Sequence, residues 1–270
     1  MQARSALFDL YGDYLRPRGG RAPVAALVKL LAPLEITAPA VRTAVSRMVR
    51  QGWLRPMRLM SGAGYLLTPK SVHHLDETSA RIHRSGRNGW DGRFDLVLLR
   101  APLGRRDAQR LVFLGYGMLS DLTWAAPRAA DGIDAALIEA HAEYERFSAA
   151  HTAGSPGAAG VVARAWDVAG IGRAYADFVT AYRPVVTSIN ARGTDEEAYA
   201  ARFRLVHAWR SLAIRDPQLP ASLLPPRWPG AGAAVFFDKH ANRLRPAADR
   251  YVDRCLASVA RNGRMGFSDS

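Results

Sequence analysis

The sequence predicts a multidomain α+β protein: an N-terminal winged helix-turn-helix, a middle ferredoxin-like α+β domain and a C-terminal all-α domain. Three observations carry this reading. Apolar residues recur at helical spacing in three short blocks before residue 52, and two short strand-like runs follow them. Between about residues 90 and 150, buried-strand runs alternate with helical runs. Beyond residue 161 the spacing is helical throughout. A chain of 270 residues is long enough for two or three such domains, each with its own core.

Leu7, Leu10, Tyr11, Tyr14 and Leu15 mark one face of the first helix. Pro17 and the pair Gly19-Gly20 stop it. Val24, Leu27, Val28 and Leu31 repeat the pattern, and Pro33 ends the second helix. A third helix is expected over 38–51, with Thr37 as N-cap, Pro39 in the first turn and Gly52 in a left-handed cap. Its inner stripe is Val41, Ala44, Val45, Met48 and Val49, and Arg42, Thr43, Ser46, Arg47 and Arg50 face the other way. Residues 53–59 and 64–68 read as two strands around the turn Met60-Ser61-Gly62-Ala63.

Residues 71–89 read as a linker helix followed by a glycine-bearing break. Strands are then expected at 94–99, 122–126 and, with weaker alternation, 142–150; helices fit at 104–114 and 131–141. Residues 152–160 read as a flexible break. Helices are expected over 168–183, 195–212 and 233–260, with the proline-rich run 216–229 as an extended connector. The domains are therefore expected at 1–70, 90–151 and 161–262.

The first 70 residues hold 11 Lys/Arg and 3 acids, a net charge of +8 out of +13 for the whole chain. Concentrated positive charge points to a polyanionic partner. Arg42, Ser46 and Arg50 form an i, i+4, i+8 row flanked by Thr43 and Arg47, a face suited to a DNA major groove. Arg42, Thr43, Ser46 and Arg47 are the expected readers of base edges. Arg50, Arg55 and Arg58 are expected nearer phosphates, with the tip at Ser61-Gly62 over the flanking minor groove or backbone. The single cysteine, Cys255, excludes an intramolecular disulfide framework and fits a reducing cytoplasm. No segment reaches the roughly 18 apolar residues of a membrane span. None of the seven histidines joins a cysteine or carboxylate at zinc spacing, and nothing calls for a cofactor.

Motifs spread over the chain add a resemblance. They include PRGG at 17–20, LVKLLAPL at 27–34, AVRTAVSRMVRQGWL at 40–54, YLLTPK at 65–70 and WDGRFDLVLL at 90–99. FLGYGML at 113–119, WAAPR at 124–128, ARAWD at 163–167, VHAWR at 206–210, RDPQLPASLLPPRWPG at 215–230 and LRPAADRYVD at 244–253 continue it. Their number and order resemble the PaaX family, the repressors of phenylacetic acid catabolism. The resemblance implies a middle domain similar to the Cas2 fold. It also implies a dimer that represses transcription and leaves its DNA operator when an aryl-CoA thioester binds, typically phenylacetyl-CoA. The charged helix between Leu99 and Phe113 is short for the family.

A CoA ligand needs cations for its phosphates and an apolar slot for its acyl group. His207, Trp209, Arg210 and Arg215 are the effector-binding candidates; alternatively, Trp209 and Trp228 anchor a core and Arg210 pairs with Asp216. Two other functions compete with the repressor: a winged-helix protein-interaction module, and a metal-dependent nuclease using Asp91 or Asp95. Fold similarity is a weak warrant for the nuclease, and the chain is expected not to be an enzyme.

Overall fold

The computed structural model describes residues 1–59, 62–83, 89–150, 157–189 and 193–265, without the side chains of 80–83 and 261–265. Among the described residues it is a mixed α+β protein with two small antiparallel sheets and a helical C-terminal region. The chain forms two compact units, each discontinuous in sequence. One joins Met1–Ala80 to Val179–Trp209 and Ala234–Ser270; the other comprises Arg81–Phe178 and Arg210–Ala233.

The first unit begins with α1 (Ala3–Leu10), which runs through a π-helical turn (Tyr11–Leu15) into a 3₁₀ turn (Arg16–Arg18). Gly19, at φ +88°, ends it as expected, because a left-handed backbone suits glycine. Strand β1 (Arg21–Pro23), α2 (Val24–Leu31) and α3 (Ala38–Arg50) follow, then the hairpin β2 (Leu54–Leu59) and β3 (Gly62–Leu67). The strand order is β1-β3-β2. Three residues ending in proline carry no alternation, so β1 was not legible from spacing; its register on β3 places it (Arg21 opposite Leu66, Pro23 opposite Gly64).

α3 ends in a Schellman arrangement. Trp53 N donates to Met48 O at 2.8 Å and Gly52 N to Val49 O at 3.0 Å, with Gly52 at φ +71°. Thr37 occupies the N-cap position with extended backbone, yet its hydroxyl caps nothing. Pro39 in the first turn removes one of the amide donors such a hydroxyl would accept from.

The core under these elements is built from Leu7, Leu10, Tyr11, Leu27, Leu30, Val41, Val45 and Met48. Tyr199 and Phe203 of α9 (Asp195–Arg215) and Ala248, Val252 and Cys255 of α10 (Pro229–Met265) complete it. The C-terminal helices thus share one core with the N-terminal module. Tyr199 Oη donates to Leu30 O at 2.8 Å from inside that core.

The second unit contains β4 (Arg93–Leu99), α5 (Arg105–Phe113), β5 (Gly117–Ser120), β6 (Thr123–Ala126), α6 (Ile133–Glu139) and β7 (Tyr144–Ala150). The sheet order is β5-β6-β4-β7, all antiparallel. Val97, Leu99, Leu111, Tyr116, Trp124, Ile133 and Leu137 form the core between this sheet and its helices. β5 was not expected, and the weak alternation of 142–150 is that of an edge strand, exposed at alternate and successive positions. The break expected at 152–160 ends early. Residues 152–156 lie outside the described residues, but Gly157–Ala165 is helix α7, whose Val162 is buried with Phe94 and Leu219. α8 (Val168–Ser188) and α10 run further than the apolar spacing implied, carrying Pro184 and Pro246 inside them. The 216–229 connector holds one 3₁₀ turn, Ala221–Leu223.

Candidate nucleic-acid interface

α3 presents the two faces its spacing implies. Val41, Ala44, Val45 and Met48 are buried, whereas Arg42, Thr43, Ser46, Arg47 and Arg50 are exposed. Among the described residues none of these five, nor Arg55 or Arg58, forms an ion pair. The acids explain why. Residues 36–75 contain no Asp or Glu. The three acids before them are engaged from the opposite side by α9: Asp9 by His207 (2.5 Å), Asp13 by Arg202, and Glu35 by Arg204 (3.6 Å). The module's three acids are thus met by residues of α9, and the α3 face stays positive, with none of its arginines in an ion pair among the described residues. The sequence count of +8 could not show this polarity, because the neutralising partners lie over 150 residues away in the chain.

The hairpin carries Arg55 opposite Leu66 and Arg58 opposite Ala63. Side chains alternate along a strand, so these two arginines point to opposite faces of the sheet. Arg58 shares its face with buried Leu54 and Leu67, while Arg55 shares the outer face with Leu66 and Arg21. Sequence reasoning did not nominate Arg21; only the register of the unexpected strand β1 places it on the same face as Arg55, across β3. Ser61 lies outside the described residues. Gly62, next to it, is exposed with φ +104°.

α4 (Pro69–His83) is fastened to the base of this module. Thr68 Oγ1 donates to Gly52 O at 2.7 Å, Ser71 Oγ to Trp53 O, and Lys70 Nζ to Gln51 O at 3.2 Å. Trp53 lies edge-on to Phe8 at 5.3 Å and packs on His74 at 5.3 Å, with Lys70 Nζ 4.3 Å from its ring centre. Arg16 pairs with Asp76 at 2.6 Å. His74 therefore has ring partners, while His73 is solvated beside Glu77.

The four effector candidates lie on α9, across which the boundary between the compact units falls, between Trp209 and Arg210. His207 Nδ1 meets Asp9 Oδ2, and buried Trp209 stacks on Phe237 at 4.7 Å and 8°. Trp209 thus has the core contact weighed as its alternative. Asp216 accepts a hydrogen bond from Tyr175 Oη at 2.6 Å. Within the first unit a groove of ≈ 780 Å³ is lined by Lys29, Asp195, Glu196, Glu197, Tyr251 and Arg254. Its cations are engaged, Arg254 with Asp195 and Lys29 with Ser258. Three carboxylates suit it poorly to a polyphosphate.

Asp95 is held between Tyr116 and Arg146 Nη2 (3.1 Å), and Asp91 accepts from Arg93 N at 3.0 Å. Burial, with Asp95 beside it, pushes the Tyr116 hydroxyl well above the usual range. Both acids are thus in structural roles, and among the described residues no group of three or more His, Cys, Asp or Glu is placed to hold a metal ion. No helix of the described residues is long and apolar enough to cross a membrane.

Residues 2–71 match the family described as PaaX-like protein, and residues 166–254 match the PaaX-like protein C-terminal domain. The transcriptional repressor PaaX of Escherichia coli (strain K12) is 30% identical over 261 residues, covering 92% of this chain and 82% of the repressor. The chain belongs to the PaaX family. A solved structure of an uncharacterized protein from Mycobacterium tuberculosis is similar in fold, with a TM-score of 0.57 at 22% identity over 92% of this chain and 98% of that one. The PaaX relative is a transcriptional repressor rather than an enzyme, so PaaX membership places this chain in a family of non-enzymatic regulators.

Proposed function

We propose that this PaaX-family chain is a cytoplasmic, dimeric transcriptional repressor that reads an inverted-repeat operator and leaves it when an aryl-CoA thioester such as phenylacetyl-CoA binds. The observation that carries the reading is the α3 face: exposed arginines without an ion pair among the described residues, on a module whose three acids are met by residues of α9.

The order α1-β1-α2-α3-β2-β3 supports a winged helix-turn-helix over residues 1–70. The β-α-β-β-α-β order of the second sheet, with strands arranged β5-β6-β4-β7, supports the ferredoxin-like, Cas2-like assignment of the middle domain. α3 is assigned to the major groove. Arg42 and Arg47 read guanine edges, Thr43 and Ser46 contact bases or phosphates, and Arg50, Arg55 and Arg58 sit at the backbone. Two copies related by a two-fold axis would read half-sites about 34–36 Å, or one helical turn, apart, or a multiple of that.

Effector sensing is assigned to α9. Its His207 meets Asp9 of the N-terminal module and its Trp209 stacks on Phe237 of α10; Arg210 and Arg215 lie further along the same helix. A ligand that prefers one arrangement of this helix shifts the DNA equilibrium by its difference in affinity for the two states.

The test is binding to genomic DNA fragments at about 150 mM salt, with and without phenylacetyl-CoA. Tight binding to one inverted repeat, lost on adding the thioester, is the expected result. Weak, sequence-blind binding would overturn the operator reading and favour a winged helix that docks a protein.

A further inference from the structure

We propose that the cationic cluster where α8 meets α10, formed by Arg183, Lys239, His240 and Arg243, binds a phosphate-bearing small molecule. It is distinct from the α3 face and from the α9 residues assigned to effector sensing.

Four observations build the site. The Arg183 guanidinium carbon lies 5.5 Å from the ring centre of Phe236. That ring lies 4.6 Å from the imidazole of His240. Arg243 is fixed across the end of α8, donating through Nη1 to Ile189 O at 2.8 Å and through Nη2 to Val186 O. His240 Nδ1 is buried without a hydrogen-bond partner among the described residues.

The charged groups that face His240 are Arg183 from α8 and Lys239 and Arg243 from its own helix. All are cations. Asp238 is two residues from His240, about 200° around the helix, and so lies away from the cluster. Neither Arg183 nor Lys239 forms an ion pair among the described residues. On neighbouring turns of α10 the arginines are matched with acids, Arg250 and Arg254 with Asp195.

An unmatched group of cations repels itself and favours any anion that enters. Guanidinium and ammonium donors suit phosphate oxygens. Burial, and then the neighbouring cations, hold the His240 imidazole below its ordinary range, so it is neutral before the anion arrives. A bound anion reverses the local field, and the imidazole takes up a proton from solvent.

The experiment uses the full chain without DNA, so its outcome is separate from that of the operator reading. The His240 titration is followed by NMR in sodium sulfate and in sodium chloride of equal ionic strength; sulfate is a phosphate stand-in that does not itself titrate near neutrality. H240Q assigns the signal. The titration midpoint of His240 is expected to rise in sulfate relative to chloride at the same ionic strength. R183A/K239A, both at exposed positions, is expected to abolish the difference and to weaken pyrophosphate binding at least tenfold by calorimetry. Equal midpoints in the two salts, or a sulfate-dependent rise that persists in R183A/K239A, would overturn the proposal. So would a variant that loses affinity for a DNA duplex while binding pyrophosphate as the wild type does, which would make the cluster a contact for the DNA backbone.

Discussion

Asp13→Ala should be among the most damaging single changes in the reading module, although no atom of Asp13 reaches the α3 face. Its partner Arg202 is 3% exposed. Arg202 donates to Asp13, to Tyr14 Oη at 2.7 Å and to Ala241 O at 3.0 Å, and its guanidinium carbon lies 5.2 Å from the Tyr14 ring centre. Burial opposes the charge on this guanidinium, but Tyr14 and Asp13 outweigh it, and an arginine keeps its proton in proteins, so removing the carboxylate leaves a buried cation rather than a neutral group. Breaking a buried pair from one side costs about 3–5 kcal/mol. The two remaining hydrogen bonds and the Tyr14 ring favour the lower end, about 3 kcal/mol. For a body of this size each kcal/mol moves the unfolding midpoint by roughly 2–4 °C, so a drop of roughly 6–12 °C is expected. Circular dichroism on thermal and urea unfolding measures it. Replacing both partners, Asp13→Leu with Arg202→Met, should recover most of the loss, because apolar pairs of similar volume substitute well for buried ion pairs. A loss under about 1 kcal/mol for Asp13→Ala, the range of a surface pair, would refute the reasoning. So would a double variant no better than the single one.

Other expectations follow from local packing. A Cβ on Gly64 would overlap the Leu59 side chain and approach the Ala22 carbonyl oxygen at 3.1 Å, so Gly64→Ala should cost about 1–3 kcal/mol; urea midpoints unchanged from wild type would contradict it. Cys255 is buried and burial raises its thiol above the usual range, so a thiol reagent should label it only after unfolding; rapid stoichiometric labelling of the native chain would count against this core. Hydrogen bonds from Arg250 and Arg254 hold the Asp195 carboxyl below its ordinary 3.8. A depressed carboxyl contributes stability above its unfolded value and loses it as pH falls through the folded value. Asp195→Asn should therefore lower the thermal midpoint at neutral pH, with the gap closing in acid; a gap independent of pH would contradict the pairing.

Helix α3 was legible because its two signals are local: the buried stripe Val41, Ala44, Val45, Met48, and the Gly52 stop. Strand β1 was illegible because three residues cannot show a period, and its identity rests on pairing with a strand more than 40 residues away. α7 was hidden by the glycines and proline before it. The role of His207 was hidden for another reason. Its spacing near Trp209 and Arg210 looked like a ligand site, but its imidazole faces Asp9, 198 residues back in the chain. Sequence patterns near one another do not report such partners. The same limit applies to Arg21, which register alone sets on the same face as Arg55, across β3.

The central claim is that the α3 face reads base edges. The measurement that tests it most directly is the affinity of wild type, Arg42→Ala and Arg58→Ala for an operator fragment and for random DNA across a salt series. Arg42→Ala is expected to lose about 1–3 kcal/mol on the operator and far less on random DNA. Arg58→Ala should weaken both alike and flatten the log–log salt slope by about 0.9. Equal losses on both DNAs for Arg42→Ala would contradict the account.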